Sequence, residues 1–98
     1  MTTTLRIEHP VHGFEPWKAA FDADPVDRAG SGVRRYAVRR GVGDEASVVV
    51  VDLDFDSPDE ARAMLLRLQA LWSTPPAARA LAGAPVTTIT ELVEERRV

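Results

Sequence analysis

Hydrophobic and polar residues recur along the chain with two periods, and these periods divide it into strands and helices. The densest apolar run, Ser47–Phe55, contains four consecutive valines, and stiff β-branched side chains of this kind suit the pleated surface of a strand. Ser57 then offers a helix N-cap, Pro58 fits the first helical position, and Glu60 completes a capping box. The stretch therefore predicts a strand, a turn and the start of a helix.

Two helices are predicted from apolar side chains at helical spacing. The first begins near Phe14 or Glu15 and ends or kinks at Asp24–Pro25, because the residue before a proline avoids the helical region. The second follows Ser57 and is stopped by the segment 73–76. Its apolar stripe consists of Ala61, Met64, Leu65, Leu68, Leu71 and Trp72.

The remaining segments read as extended. Thr2–Glu8 alternates between apolar and polar residues, and Val33–Arg40 forms a second strand. After a short helical piece over 77–82, Gly83 is expected in a left-handed cap, and Val86–Val93 is the last strand.

The predicted order is β-α-β-β-α-β, which is the ferredoxin-like plan of the α+β class: a four-stranded antiparallel sheet with two helices on one face. At 98 residues the chain is expected to form one domain, 1–98. A hairpin at Gly41–Glu45 predicts the register between strands two and three. The expected pairs are Arg34 with Asp52, Tyr36 with Val50, Val38 with Val48 and Arg40 with Ala46.

The third strand is apolar on both sides. Val48 and Val50 are as hydrophobic as Val49 and Val51, although two helices can cover only one face of the sheet. We therefore expect a homodimer packed sheet against sheet about a two-fold axis.

Composition narrows the class of protein. Hydrophobic residues at 45% and charged residues at 28% are typical of a soluble globular chain. A net charge of -3 argues against general nucleic-acid binding, which needs a positive field. There is no cysteine, which excludes thiol nucleophiles and disulfides and fits a cytoplasmic protein. The sequence also lacks an apolar run of the kind found in membrane spans and signal peptides, so we expect neither.

Three segments, Phe14–Asp22, Gly32–Val33 and Val50–Ala63, resemble the small dimeric α+β barrel proteins, the superfamily of antibiotic biosynthesis monooxygenases and their cyclase-like relatives. The resemblance implies a ligand cavity between the sheet and the helices. It also implies a choice among cofactor-free oxygenases of polyphenols, polyketide cyclases, haem-degrading enzymes and dimers without a known role. The haem-degrading branch uses an asparagine and a histidine ligand on helix two, and this chain has no asparagine and no histidine beyond His12.

His9 is the candidate catalytic base, since histidine titrates near neutrality. It falls on the side of strand one that carries Leu5 and Ile7, where it could deprotonate a phenol or a 1,3-dicarbonyl compound. The alternative is a histidine that only hydrogen-bonds at the end of a strand. His12 lies in a loop, and the His9–His12 pair has no obvious third metal ligand, so no metal site is expected.

Strand two carries a cluster of arginines, Arg34, Arg35, Arg39 and Arg40. Of these, Arg35 is the candidate catalytic partner of His9, because a guanidinium can stabilise an enolate or bind a carboxylate. The alternative is a sheet edge protected by charge, with Arg34 paired to Asp52. Asp52, Asp54 and Asp56 alternate nearby and are expected to form ion pairs or remain exposed.

Four aromatic residues are candidates for a substrate-binding wall: Trp17, Phe21, Phe55 and Trp72. A flat apolar pocket would use such side chains, and so would an ordinary core. Two functions remain open. One is a cofactor-independent monooxygenase or cyclase-like enzyme acting on a small aromatic or polyketide-type substrate. The other is a non-catalytic homodimeric module that binds a small apolar ligand or supports assembly.

Overall fold

A computed structural model describes all residues, 1–98. Four strands form one antiparallel sheet in the order β2-β3-β1-β4. The strands are β1 (Thr3–Pro10), β2 (Arg35–Arg40), β3 (Val48–Phe55) and β4 (Val86–Glu91), and the helices are α1 (Phe14–Asp22), α2 (Pro58–Trp72) and α3 (Pro75–Ala80). The predicted ferredoxin-like fold, with its two main helices on one face of the sheet, is confirmed.

The core lies between the sheet and this helical layer. Alternate residues of β1 and β3 point into it, because successive side chains of a strand face opposite sides. Helix α1 contributes Trp17, and α2 contributes Ala61, Met64 and Leu68, the buried part of its predicted stripe. Ser57 caps α2 as predicted: its hydroxyl accepts a hydrogen bond from the Glu60 backbone N–H at 3.3 Å.

The predicted register between β2 and β3 is wrong by three residues. Tyr36 pairs with Leu53 and Val38 with Val51. The connection contains a one-turn 3-10 helix, Gly43–Glu45, and closes only where the Gly41 N–H bonds to the Val48 carbonyl at 2.9 Å. This longer turn shifts β2 along its partner and places Val38 against the core instead of on the outer face.

Two further expectations at chain turns need correction. Strand β1 continues through Pro10 instead of ending at Glu8, and Val11 then bridges to Leu81. Gly83 is not in a left-handed cap, because α3 ends at Ala80 and Leu81 is already extended. A Cβ atom at Gly83 would lie 2.9 Å from the Pro10 ring, so the close packing of that ring on the Gly83 backbone explains the glycine.

The outer face of the sheet is covered by no element of the chain. It presents Val48 and Val50, both half-buried, beside charged side chains of β1 and β2. None of the helices combines the length and the hydropathy needed to cross a bilayer.

Candidate functional site

A cavity of about 590 Å3 opens between the sheet and the helices. This volume lies within the range of roughly 300 to 1,000 Å3 that is usual for small-molecule sites. Fourteen of the 19 lining residues are hydrophobic, so the cavity favours an apolar ligand. The lining consists of Ile7, His9, Trp17, Ala20, Phe21, Ala23, Pro25, Val26, Arg28, Val51, Leu53, Leu68, Leu71, Trp72, Thr74, Pro76, Ala77, Ala80 and Leu81.

His9 reaches this cavity from β1, on the same side as Leu5 and Ile7, and is 4% exposed. Its Nδ1 lies 3.3 Å from the Pro10 carbonyl oxygen, which can only accept, so Nδ1 carries the proton of the neutral ring. Nε2 has no hydrogen-bond partner in the chain. Every side-chain nitrogen or oxygen that is fully enclosed does have a hydrogen-bond partner. The basic nitrogen therefore keeps some accessible surface, on a residue that lines the cavity.

Burial also sets the charge of this histidine. Desolvation lowers the pKa of His9 below its ordinary value of 6.5, and the hydrogen bond to Pro10 only partly opposes this effect. The ring is consequently neutral at pH 7, which is the form that can accept a proton.

A row of aromatic rings runs from His9 along α1. The ring centroids of His9 and Trp17 are 5.7 Å apart, and Trp17 stacks on Phe21 at 5.2 Å. These spacings are typical of favourable aromatic pairs. Trp72 approaches the same cavity from the end of α2.

Arg28 ends this row and is a residue that the sequence analysis missed. Its guanidinium carbon lies 3.9 Å from the Phe21 ring centroid and 4.9 Å from that of Tyr36. The side chain is 12% exposed, donates from Nη1 to the Phe21 carbonyl at 2.8 Å, and has Asp24 3.5 Å from Nε. The i, i+4 spacing of Asp24 and Arg28 was the available sequence signal, although it carries no information about Phe21 or Tyr36.

The connection between α1 and β2 holds Arg28 in place. Asp24 adopts a left-handed conformation with φ of 55°, and its carboxylate accepts the Arg28 backbone N–H at 2.9 Å. Arg67 on α2 donates to the Val26 carbonyl at 3.2 Å and also to the Ser31 hydroxyl. The loop is thus tied at both ends to the helices that line the cavity.

Two of the predicted site residues lie elsewhere. Arg35 projects from the outer face of the sheet, is 77% exposed and pairs with Asp54 at 3.3 Å. The structure therefore does not bring it to His9, because alternate residues of β2 face opposite sides. Phe55 is a fully buried core residue outside the cavity lining. His9, Trp17, Phe21 and Trp72 do line one cavity.

The alternating carboxylates Asp52 and Asp54 of β3, and Asp56 directly after it, all have arginine partners. Asp52 binds Arg6 at 2.8 Å and Arg39 at 3.1 Å, and the hydrogen bond from Arg6 is the main reason that the pKa of Asp52 is lowered. Arg34 pairs with Asp56 at 2.7 Å, so the predicted Arg34–Asp52 pair is wrong. Most of these residues line a separate hollow of about 430 Å3 that extends across the sheet from β2 to Thr2, Thr4, Leu92 and Glu95.

The chain was compared with known families, curated proteins and solved structures. No protein-family model and no curated protein matches the chain. Among solved structures, SnoaB, a cofactor-independent oxygenase from Streptomyces nogalater, superposes with a TM-score of 0.73 at 16% identity, over 96% of this chain and 95% of that one. The chain shares the ferredoxin-like fold of that oxygenase.

Two further solved structures share this fold. A provisionally named antibiotic biosynthesis monooxygenase from Bordetella bronchiseptica gives a TM-score of 0.71 at 11% identity, covering 95% of this chain and 98% of its own. A dimeric ferredoxin-like protein from an uncultured marine organism gives 0.70 at 8% identity, covering both chains completely. The structural neighbours thus include antibiotic biosynthesis monooxygenase-like and dimeric ferredoxin-like proteins, as the resemblance of the three segments predicted. Identities this low establish the shared fold alone.

Proposed function

We propose that the chain is a cofactor-independent oxygenase of small aromatic or polyketide-type compounds, with the cavity between sheet and helices as its active site. The observation that carries the proposal is the free Nε2 of a neutral, buried His9 at an apolar cavity of about 590 Å3. The fold shared with a cofactor-independent oxygenase supports it.

In this proposal His9 is the general base. Nε2 removes the proton of a phenolic or enolic hydroxyl, while the Nδ1–H bond to Pro10 holds the ring in the required tautomer and stabilises the imidazolium that forms. The resulting anion is electron-rich at carbon and transfers electrons to molecular oxygen, and a carbon–oxygen bond forms. The peroxide anion takes the proton from His9 and becomes a hydroperoxide on a carbon that still bears one hydrogen. Neutral His9 then removes that hydrogen as a proton, the O–O bond breaks as the carbonyl forms, and the departing hydroxide takes the proton to leave as water. One substrate and one O2 thus give one quinone-type product and one water.

The apolar lining serves this chemistry in two ways. It binds the flat faces of a substrate against Trp17 and Phe21, and it excludes water from the anion. Cyclisation of a polyketide-type substrate would use the same base and the same walls.

The test is oxygen uptake with anthrone and a panel of hydroxylated naphthalenes. His9→Ala is expected to reduce kcat by a factor of about 10² to 10⁴, the usual contribution of a general base. His12→Ala, which removes an exposed histidine three positions away, is the matched control and should keep the wild-type rate. Equal rates for His9→Ala and wild type would remove His9 from the mechanism.

A second candidate function is ligand binding without turnover. The hydrophobic character of 14 lining residues favours it, because such a surface binds flat apolar molecules whether or not a reaction follows. Saturable binding of the same aromatic compounds with no oxygen uptake and no product would support this function over the first.

We also propose that two copies associate through the outer faces of their sheets. Val48 and Val50 lie on that face, which no helix of the same chain covers. Two of the structural neighbours are named as dimeric, which supports association into dimers.

A further inference from the structure

Arg28 is the cation of the cavity, and no carboxylate lines the cavity beside it. A guanidinium in so apolar a lining is costly unless its donors are used. Nη1 donates to the Phe21 carbonyl, and Nε has Asp24 at 3.5 Å, which is beyond the usual length of a strong charged hydrogen bond. Nη2 donates to no atom of the chain, so the guanidinium retains both charge and donor capacity.

Two aromatic rings hold this group in position. Phe21 and Tyr36 are inclined to each other by 69° and both lie within 5 Å of the guanidinium carbon. Cation–π contacts and the bond from Nη1 therefore orient the cation before any ligand arrives. A planar, pre-oriented fork suits the two oxygens of a carboxylate. It suits a neutral ligand less well, because the donors would then remain poorly matched.

Arg28 and His9 lie at opposite ends of the aromatic row, separated by Trp17 and Phe21. A ligand that contacts both ends must extend along two ring faces, which a single-ring acid does not do.

We propose that Arg28 forms an anion-binding subsite, and that the cavity takes planar, multi-ring aromatic acids whose acidic group binds Arg28 while the opposite end lies at His9. The inference rests on the proposed use of the cavity for an aromatic substrate, and it names the substrate class. Arg28 is a binding and specificity residue in this scheme, and proton transfer stays with His9.

The experiment compares two probes that differ in charge, naphthoate and naphthamide, by titration of tryptophan fluorescence. Trp17 and Trp72 line the cavity and report occupancy directly. Wild type is expected to bind naphthoate about tenfold or more tightly than naphthamide, as a charged hydrogen-bonded contact predicts. Arg28→Gln should remove this preference, whereas Arg35→Gln, a change on the outer sheet face, should keep it.

Asp24→Asn supplies a second variant that preserves the loop. Asparagine tolerates the left-handed backbone at this position and retains the oxygen that accepts the Arg28 backbone N–H. It removes only the negative charge near the guanidinium, so naphthoate should bind several-fold more tightly while naphthamide does not change. If Arg28→Gln fails to fold, the subsite is still tested by Asp24→Asn and by the binding of the two probes to the wild type.

Equal binding of the two probes by wild type, or naphthoate binding that Asp24→Asn leaves unchanged, would overturn the subsite. The outcome is separable from the proposed reaction. A naphthoate preference without oxygen uptake on any hydroxylated acid would support the subsite and contradict the oxygenase. Oxygen uptake without a preference for acids would support the oxygenase and contradict the subsite.

Discussion

At the level of single residues, burial makes His9 a pH-dependent element of stability. Its pKa is lowered in the folded chain by desolvation, whereas in the unfolded chain it returns to about 6.5. Between these two values the unfolded chain binds more protons, so the free energy of unfolding rises with pH and falls as the pH drops below about 6.5. The paired carboxylate of Asp52 also has a lowered pKa, and its contribution is lost only at still lower pH, below its ordinary 3.8.

We therefore expect His9→Gln to flatten the pH dependence of stability as the pH falls below about 6.5. The measurement is urea unfolding at a series of pH values, followed by far-UV circular dichroism. His12→Gln is the control and should keep the wild-type slope, since His12 is exposed. A wild-type slope in His9→Gln would show that other groups cause the acid destabilisation.

At the level of the elements, α2 depends on its first turn. The Ser57 hydroxyl accepts the Glu60 N–H and donates to the Glu60 carboxylate at 3.2 Å. Pro58 follows at a position where its missing N–H costs nothing. These contacts involve residues at most three positions apart, which is why the start of the helix could be predicted from the sequence.

Ser57→Ala is expected to lower the free energy of unfolding by about 1 kcal/mol, because one amide of the first turn loses its acceptor. Chemical denaturation measures this difference. Ser47→Ala, at an exposed position before β3, removes a hydroxyl that caps no helix and is expected to have little effect. A change of similar size in both variants would argue against capping as the cause.

The pairing of β2 with β3 illustrates the limit of the local argument. The hairpin was expected at Gly41–Glu45, and a turn does lie there, but its 3-10 helix lengthens the connection and moves Val38 from Val48 to Val51. Alternation along β2 alone does not choose between its two faces, since arginines occur on both. Burial decides which face is inside: Val38 packs against the core, and Arg35 and Arg39 stay exposed on the outer face.

At the level of the whole molecule, the uncovered outer face makes association the central prediction. In sedimentation at micromolar concentration the protein should have twice the chain mass of 10.7 kDa. Val50→Glu is expected to yield monomers, because it places a carboxylate at the seam. In the isolated chain the new carboxylate would lie between Arg39 on β2 and Glu8 on β1, so an attraction and a repulsion across the strands oppose each other, and far-UV circular dichroism of the variant checks that the fold persists.

The matched control for this experiment is Val42→Glu, which introduces the same charge in a loop where the side chain is 88% exposed. It should sediment as the wild type does. A monomeric wild-type protein, or a Val50→Glu variant that remains a dimer, would contradict packing through the sheet.

The sequence by itself determined the order of the elements, the cap of α2, the aromatic face of α1 and the side of β1 on which His9 lies. Each of these follows from spacing within one helix or strand, where the backbone geometry fixes which side chains share a face. The resemblance of three segments supplied the same fold, which the structural neighbours confirm.

Only the tertiary structure decided which residues meet at the cavity. It removed Arg35 and Phe55 from the candidate site, and it brought in Arg28 from a loop that periodicity does not describe. The physical reason is that strand register and loop course are settled by contacts between residues far apart in the chain. Arg28 acquires a role only because Phe21 and Tyr36, from two different elements, enclose its guanidinium.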